Sequence, residues 1–331
     1  MQAATKKLPN GYLQVMNRPG SDNTHQPVLA DQVADLLAVN PEGNYIDLTV
    51  GSGGHLRRLV DRVGSAAHCF GVDRDPAAID RARLNLKGIV PSSHLIHSGY
   101  ADLAQLAETL GVSGFHGVLL DLGLSSDQLN APDRGFAFRL EGPLDMRFDP
   151  GSDLPSAAEL IGAVDEKVLT KILLEFGQER AARKIAQAIV RERQNQVITS
   201  TADLAAIVSR CTAPDRRSKS LARVFQALRI AVNRELEQLV AVLPVILQLL
   251  LPGGRLAAIT YHSLEDRLVK QFIAEHSRSC LCPPRVPICI CNHRATLKAI
   301  GRGGFVPDQE EIEKNPRARS ARLRVAERLA L

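Results

Sequence analysis

The stretch Asn44-Tyr45-Ile46-Asp47-Leu48-Thr49-Val50-Gly51-Ser52-Gly53-Gly54-His55 is a short β-prone run that ends in glycines. Residues 55–63 continue it with Leu56, Leu59, Val60 and Val63 at helical spacing. Where a strand opens a helix through such a turn, backbone N–H groups converge and a ligand can approach without a Cβ in the way. The turn Gly51 to His55 therefore reads as a ligand cradle. A dinucleotide cradle needs a third glycine three residues after the second, and Leu56 occupies that position, so a diphosphate cofactor fits poorly. An adenosyl-amino-acid cofactor needs no diphosphate cradle.

Outward from this turn, strand and helix patterns alternate. Residues 66–72 form the next strand and end at Asp73, 22 positions beyond Gly51, a spacing suited to accepting hydrogen bonds from ribose hydroxyls. The bland alternative leaves Asp73 as an acid at a helix N-terminus. Pro76 opens a helix over 77–86 at the first-turn position where proline is tolerated. A strand at 94–97, a helix at 103–110 and an apolar strand at 118–122 follow. Four rounds of alternation predict a parallel sheet with helices on both faces.

After Ser126 the alternation stops. Residues 127–150 are rich in proline and glycine, and 157–211 are almost wholly helical in pattern, with 169–193 reading as a surface helix or helix pair. Alternation returns with one long amphipathic helix expected over 229–251, a turn at Pro252-Gly253-Gly254, a strand at 255–260 and a helix at 264–274. The economical layout is one α/β sheet interrupted by a helical insertion of about one hundred residues. Residues 1–23 read as a flexible extension.

Two further strand ends carry candidate chemistry. Leu119-Leu120-Asp121-Leu122-Gly123-Leu124-Ser125-Ser126 puts Asp121 at the carboxyl edge of the sheet, where α/β enzymes place reacting groups, although a helix-capping role reads equally well locally. The Asp/Asn-Pro-Pro-aromatic run of many amino-group methyltransferases is missing here. At Thr260-Tyr261-His262-Ser263-Leu264-Glu265-Asp266, His262, Ser263 and Glu265 could face the same crevice, but Ser263 capping the helix with Asp266 is the favoured reading. His25, before the first helix, has no local interpretation.

Composition bounds the partners. The 331 residues are 45% hydrophobic and 23% charged, ordinary for a globular chain of two domains or of one with a large insertion. No apolar run is long enough for a bilayer, and Met1 to Asp22 lacks a signal peptide's apolar stretch, so a cytoplasmic protein without membrane contact is expected. Net charge is +5, and from Arg278 onward eleven Lys/Arg face five Asp/Glu, which suits a polyanion as well as a solvated face. Tryptophan is absent and aromatics are 4%, which poorly supplies a base-stacking platform. Cys280, Cys282, Cys289 and Cys291 form two Cys-x-Cys pairs that could hold a structural zinc. Because the usual spacing is Cys-x2-Cys, free thiols in a proline-rich loop are the favoured reading, with no metal expected.

These residues resemble the 16S rRNA (cytosine-N4)-methyltransferases, the RsmH or MraW family. The motifs that carry the resemblance are His25 to Leu29, Tyr45 to His55, Asp73-Arg74-Asp75-Pro76, Leu119 to Ser126, Arg134-Gly135-Phe136, Gly142 to Arg147, Tyr261 to Arg267 and Asn315 to Ser320. Together they span about nine tenths of the chain. The N-terminal extension and the Cys-x-Cys pairs stand outside it.

The resemblance implies a Rossmann-like S-adenosylmethionine-dependent methyltransferase sheet with an inserted helical domain. Residues 24–127 and 228–331 would form the discontinuous methyltransferase domain, and 128–227 the inserted substrate-recognition domain. It implies cofactor contacts from Gly53, Gly54, His55, Asp73, Tyr100, Asp121 and Gln128, and methyl transfer to N4 of a decoding-centre cytidine of the small ribosomal subunit. A homodimer is left open. Cytosine N4 is a poor nucleophile, so positioning and acceptors for its protons should dominate, with Asp121, the 122–126 turn, His262 and Glu265 as the catalytic candidates. The basic stretches 210–234 and 317–328 are the candidates for holding the RNA backbone. Leu56 weighs against an NAD-dependent oxidoreductase. The intact glycines and Asp73 weigh against a non-catalytic ribosome-assembly factor, and the missing Pro-Pro run against a DNA amino-methyltransferase.

Overall fold

The computed structural model describes residues 27–283 and 290–330, so the N-terminal extension, His25 and Cys289 lie outside the described residues. Seven strands form one sheet: β1 (Asn44–Asp47), β2 (His68–Asp73), β3 (Leu95–His97), β4 (Phe115–Asp121), β5 (Leu250–Thr260), β6 (Leu297–Phe305) and β7 (Arg322–Arg328). Their order is β3-β2-β1-β4-β5-β7-β6. The pairs from β3 through β5 are parallel, and β7 runs antiparallel to both β5 and β6. Strand order reverses between β1 and β4, which opens a crevice at their carboxyl ends.

Period-two burial explains the two cores. Val118 and Leu120 of β4 and Leu256 and Ala258 of β5 join one cluster, while Leu119, Ala257 and Ile259 join the other. Helices α1 (Ala30–Leu37), α2 (Gly54–Val63) and α3 (Pro76–Asn85) cover the second face with Val33, Leu37, Leu56, Leu59, Ile79 and Ala82. Helix α4 (Leu103–Thr109) lies on the first face, as do two later helices described below. Asp75 caps α3, accepting from the Ala77 N–H with Pro76 at the first helical position.

The segment after β4 begins with the short helix α5 (Ser126–Asn130), started by a reciprocal Ser125/Gln128 capping box. Helices α6 (Ala157–Ala163), α7 (Glu166–Glu175), α8 (Ala182–Glu192), α9 (Thr201–Cys211) and α10 (Arg217–Asn233) then pack around a core of their own, from Phe136 to Val232. The expected surface element over 169–193 is the packed pair α7 and α8. Helix α11 (Glu235–Leu249) returns the chain to the first sheet face, and α12 (Ser263–His276) and α13 (Gln309–Lys314) complete the α-helices of the described residues. Among the described residues no helix is long and apolar enough to cross a membrane.

Three local expectations are corrected. The long helix over 229–251 is two helices, because Arg234 adopts a left-handed conformation (φ 52°, ψ 38°) that ends α10 and starts α11. Pro252-Gly253-Gly254 is not a turn before the strand but a bulge within β5, where the register slips between the Phe115–Leu250 and Gly117–Arg255 pairings. The cap of α12 is His262, not Ser263, and its ring accepts from the Glu265 N–H.

Candidate active site

A cavity of about 480 Å³, of the size that holds small ligands, opens at the carboxyl ends of β1, β4 and β5 and extends to α10. Its floor is the glycine turn. Gly51 (φ 55°) donates its N–H to Asp73 Oδ2 at 2.8 Å, and Asp75 donates its N–H to Asp73 Oδ1 at 2.9 Å. The Asp73 carboxylate thus keeps a second lone pair on each oxygen, suited to a pair of vicinal hydroxyls. Burial pushes its pKa up to about 6 against the two backbone N–H bonds, which act to lower it. Leu56 is fully buried in the core under α2, so a side chain fills the close packing that a dinucleotide motif gives to glycine.

Of the expected cofactor residues, Gly54, His55, Asp73, Tyr100, Asp121 and Gln128 line this cavity. Gly53 does not. It has φ 90°, and a Cβ there would come within 2.8 Å of the Leu86 side chain, so it shapes the turn from behind. Gln128 is committed on both ends of its amide, which accepts from the Ser125 N–H and donates to Asp75 Oδ2 at 2.9 Å. Arg134 donates to the same Asp75 oxygen at 2.8 Å and to the carbonyls of Arg147 and Phe148, tying the start of the helical segment to the cradle. Tyr100 donates its hydroxyl to the Glu235 carbonyl, and burial raises its pKa well above the ordinary phenol value.

The catalytic candidates divide. Asp121 and His262 reach the cavity wall together with Tyr261, which donates its hydroxyl to Asp121 Oδ1 at 2.9 Å. Burial and the Asp121 charge hold the Tyr261 phenol protonated, so it stays a donor. Thr49 Oγ1 accepts from the Asp121 N–H at 2.6 Å, and His55 Nδ1 lies 3.6 Å from Asp121 Oδ2 while its Nε2 meets the Val28 carbonyl. Glu265 also borders the cavity but is buried and occupied, one oxygen 2.9 Å from His262 Nε2 and the other accepting from the Tyr261 N–H. Burial pushes its carboxyl up, but His262 and Arg229 outweigh it and hold Glu265 below the usual carboxylate range. Through these contacts Glu265 braces the 261–262 turn from the edge of the cavity.

Sequence reasoning missed Thr49, Asp75, Tyr261 and the ion pair behind them. Arg229, buried on α10, bonds both oxygens of Glu235 at 2.8 and 2.9 Å. This bears on the basic stretches. Arg229 is spoken for, and Arg324 is bound twice by Asp266, whereas Arg216, Arg217, Lys219, Arg317 and Arg319 remain exposed. Asp47 is a further buried acid, pushed up to about 7 by burial. Its Oδ1 accepts from Thr49, and its Oδ2 meets no partner among the described residues.

A mostly parallel sheet with an antiparallel strand set between the last two, a glycine cradle without the dinucleotide spacing and an acid at the second strand end together define a Rossmann-like methyltransferase. The chain belongs to the MraW methylase family, which matches residues 22–329. It is 48% identical to ribosomal RNA small subunit methyltransferase H of Thermomicrobium roseum over 93% of this chain and 94% of that one. The protein of the same name from Heliobacterium mobile is 42% identical over 92% of this chain and 99% of its own length. Among solved structures, an rRNA methylase from Streptococcus thermophilus aligns over 91% of this chain and 94% of its own at 12% identity and a TM-score of 0.40, a distant likeness.

Proposed function

We propose that the protein transfers a methyl group from S-adenosylmethionine to N4 of a cytidine in the 16S rRNA of the small ribosomal subunit, in the cytoplasm. The observation that carries the reading is the meeting of two strand ends. Asp121, the last residue of β4, and Tyr261, just past the end of the neighbouring β5, form one hydrogen-bonded pair on the wall of a cavity whose floor is the Gly51–Asp73 cradle. The residues fit such a cofactor: Gly51, at φ 55°, puts no Cβ over the floor, and Asp73 offers lone pairs to ribose hydroxyls. Bound there, the cofactor supplies an electrophilic sulfonium methyl.

The remaining work falls to the protein. The N4 lone pair is delocalised into the ring, so catalysis rests on orientation and on acceptors for the amino protons. Asp121 presents a carboxylate whose direction is set by Tyr261 and by the Thr49 contact to its backbone. His262 is held against Glu265 at the same edge and limits where the base can lie. The target base leaves its stack to enter the cavity, and the helical unit α6–α10 is the substrate-recognition element, with Phe225, Gln226 and Arg229 of α10 bordering the same cavity. The exposed Arg216, Arg217, Lys219, Arg317 and Arg319 supply charge for the RNA backbone.

The test is methyl transfer from labelled cofactor to assembled small subunits, naked rRNA and DNA, followed by nucleoside analysis. N4-methylcytidine from 16S rRNA is expected. Label in another nucleoside, or in DNA alone, refutes the proposal.

A further inference from the structure

We propose that Cys280, Cys282 and Cys291 hold a structural zinc ion that pins the long connection between α12 and β6. The three Sγ atoms lie within 4.8 Å of one another. Cys280 and Cys291 approach to 3.8 Å between sulfurs, nearly twice a disulfide bond of about 2.05 Å. A tetrahedral zinc with bonds of about 2.3 Å to sulfur sets neighbouring sulfurs about 3.8 Å apart, the length of the tetrahedron's edge.

The second observation is the backbone around the sulfurs. Leu281 donates its N–H to Cys291 Sγ at 3.4 Å, Cys282 to Cys280 Sγ at 3.4 Å and Ile290 to Cys282 Sγ at 3.5 Å. Each sulfur thus receives a backbone donor from the described residues. Backbone N–H groups aimed at sulfur suit a metal-binding cluster, because a metal-bound sulfur accepts such bonds better than a neutral thiol, which is a weak acceptor. The Cys-x-Cys spacing that favours free thiols in the sequence ceases to be an objection, because the cluster joins two separate arms of a loop rather than one local turn.

The connection needs such a pin. Residues 277–296 carry no helix or strand among those described, a length seldom left unsupported in a compact fold. Its base is closed by the Thr296 N–H donating to the His276 carbonyl at 2.8 Å. None of its described residues belongs to a hydrophobic cluster, and Leu281 and Ile290 are exposed. Soft thiolate donors with no carboxylate among them suit zinc over the harder divalent cations, and one further donor completes the tetrahedron.

The experiment is elemental analysis of the full chain purified without chelator, compared with Cys282→Ser and with the triple Cys280→Ser/Cys282→Ser/Cys291→Ser variant. About one zinc per chain is expected for the parent, zinc binding at least about tenfold weaker in the single variant, and none in the triple variant. Cobalt exchanged into the parent protein should give thiolate-to-metal charge-transfer absorption with a tetrahedral ligand-field pattern, a readout that stands even if a variant fails to fold. Less than about a tenth of an equivalent after equilibration with excess zinc, zinc retained by the triple variant, iron in place of zinc, or a cobalt spectrum without thiolate bands overturns the proposal.

Discussion

Replacing Asp73 with asparagine should remove a pH dependence from cofactor binding. Burial holds this carboxyl at about 6 in the unliganded protein, above the ordinary aspartate value. Ribose hydroxyls donate to the ionised form, so affinity should rise as pH rises through about 6 and level off above about 7. The ionised fraction falls from about nine tenths at pH 7 to about one tenth at pH 5, and affinity should fall about tenfold, or about 1.4 kcal/mol. In Asp73→Asn the affinity is lower throughout and this slope is absent, because the amide turns one N–H toward the Gly51 or Asp75 donor. Calorimetric titration with S-adenosylhomocysteine from pH 5 to 8 at constant ionic strength measures both. Asp47, raised to about 7 but outside the cavity lining, is the competing source of any slope, and Asp47→Asn serves as the control. A tenfold slope that survives in Asp73→Asn, or its absence in the parent, refutes the assignment. The sign for stability is opposite. An acid raised in the folded state favours folding below its unfolded pKa, and that contribution is lost as pH rises through about 6 for Asp73 and about 7 for Asp47.

Three other outcomes are expected. Gly53→Ala forces a side chain into φ 90° against Leu86 and should cost about 1–3 kcal/mol, read as a lower Tm; an unchanged Tm would show that the turn is not under this constraint. Arg229→Met strands Glu235 and should cost about 3–5 kcal/mol in denaturant unfolding, most of it recovered when Glu235→Leu is added; a double variant no better than the single one refutes the pairing. Tyr261→Phe removes the hydroxyl from Asp121 and should lower kcat about tenfold or more while leaving cofactor affinity near the parent's, with loss of cofactor affinity instead counting against its role beside the substrate.

Much of the sheet was legible because its signals are local. Strand ends at Asp73 and Asp121 stand close to where they were expected, β1 stops at Asp47 rather than running to Val50, and the period-two burial of β4 and β5 follows from short apolar runs. What escaped depends on contacts distant in sequence or on unusual backbone. Arginine is a good helix former, so nothing local warned that Arg234 would break the chain into α10 and α11. Gln128 lines the cavity, but nothing local showed that its amide also serves Asp75, 53 positions away, or that Arg134 reaches the same oxygen from 59 positions away. Tyr261 was visible as a strand-end residue, but its partner across 140 positions was not. His262 took the capping role given to Ser263 because the ring reaches the Glu265 N–H, a role histidine fills less often than serine.

The placement of β7 has a consequence for how the chain is made. It is the last strand in chain order, yet it lies inside the sheet, with β5 on one side and β6 on the other. During synthesis, β5 presents an open apolar edge through Leu256 to Thr260, and β6 has no neighbour at all, until the ribosome has passed Arg328. Five strands can assemble as the chain emerges, but the sheet is completed only afterward, when β7 inserts. The nascent protein therefore carries an adhesive seam from the synthesis of β5 until β7 follows, and crowded or stalled ribosomes are where its misassembly should concentrate.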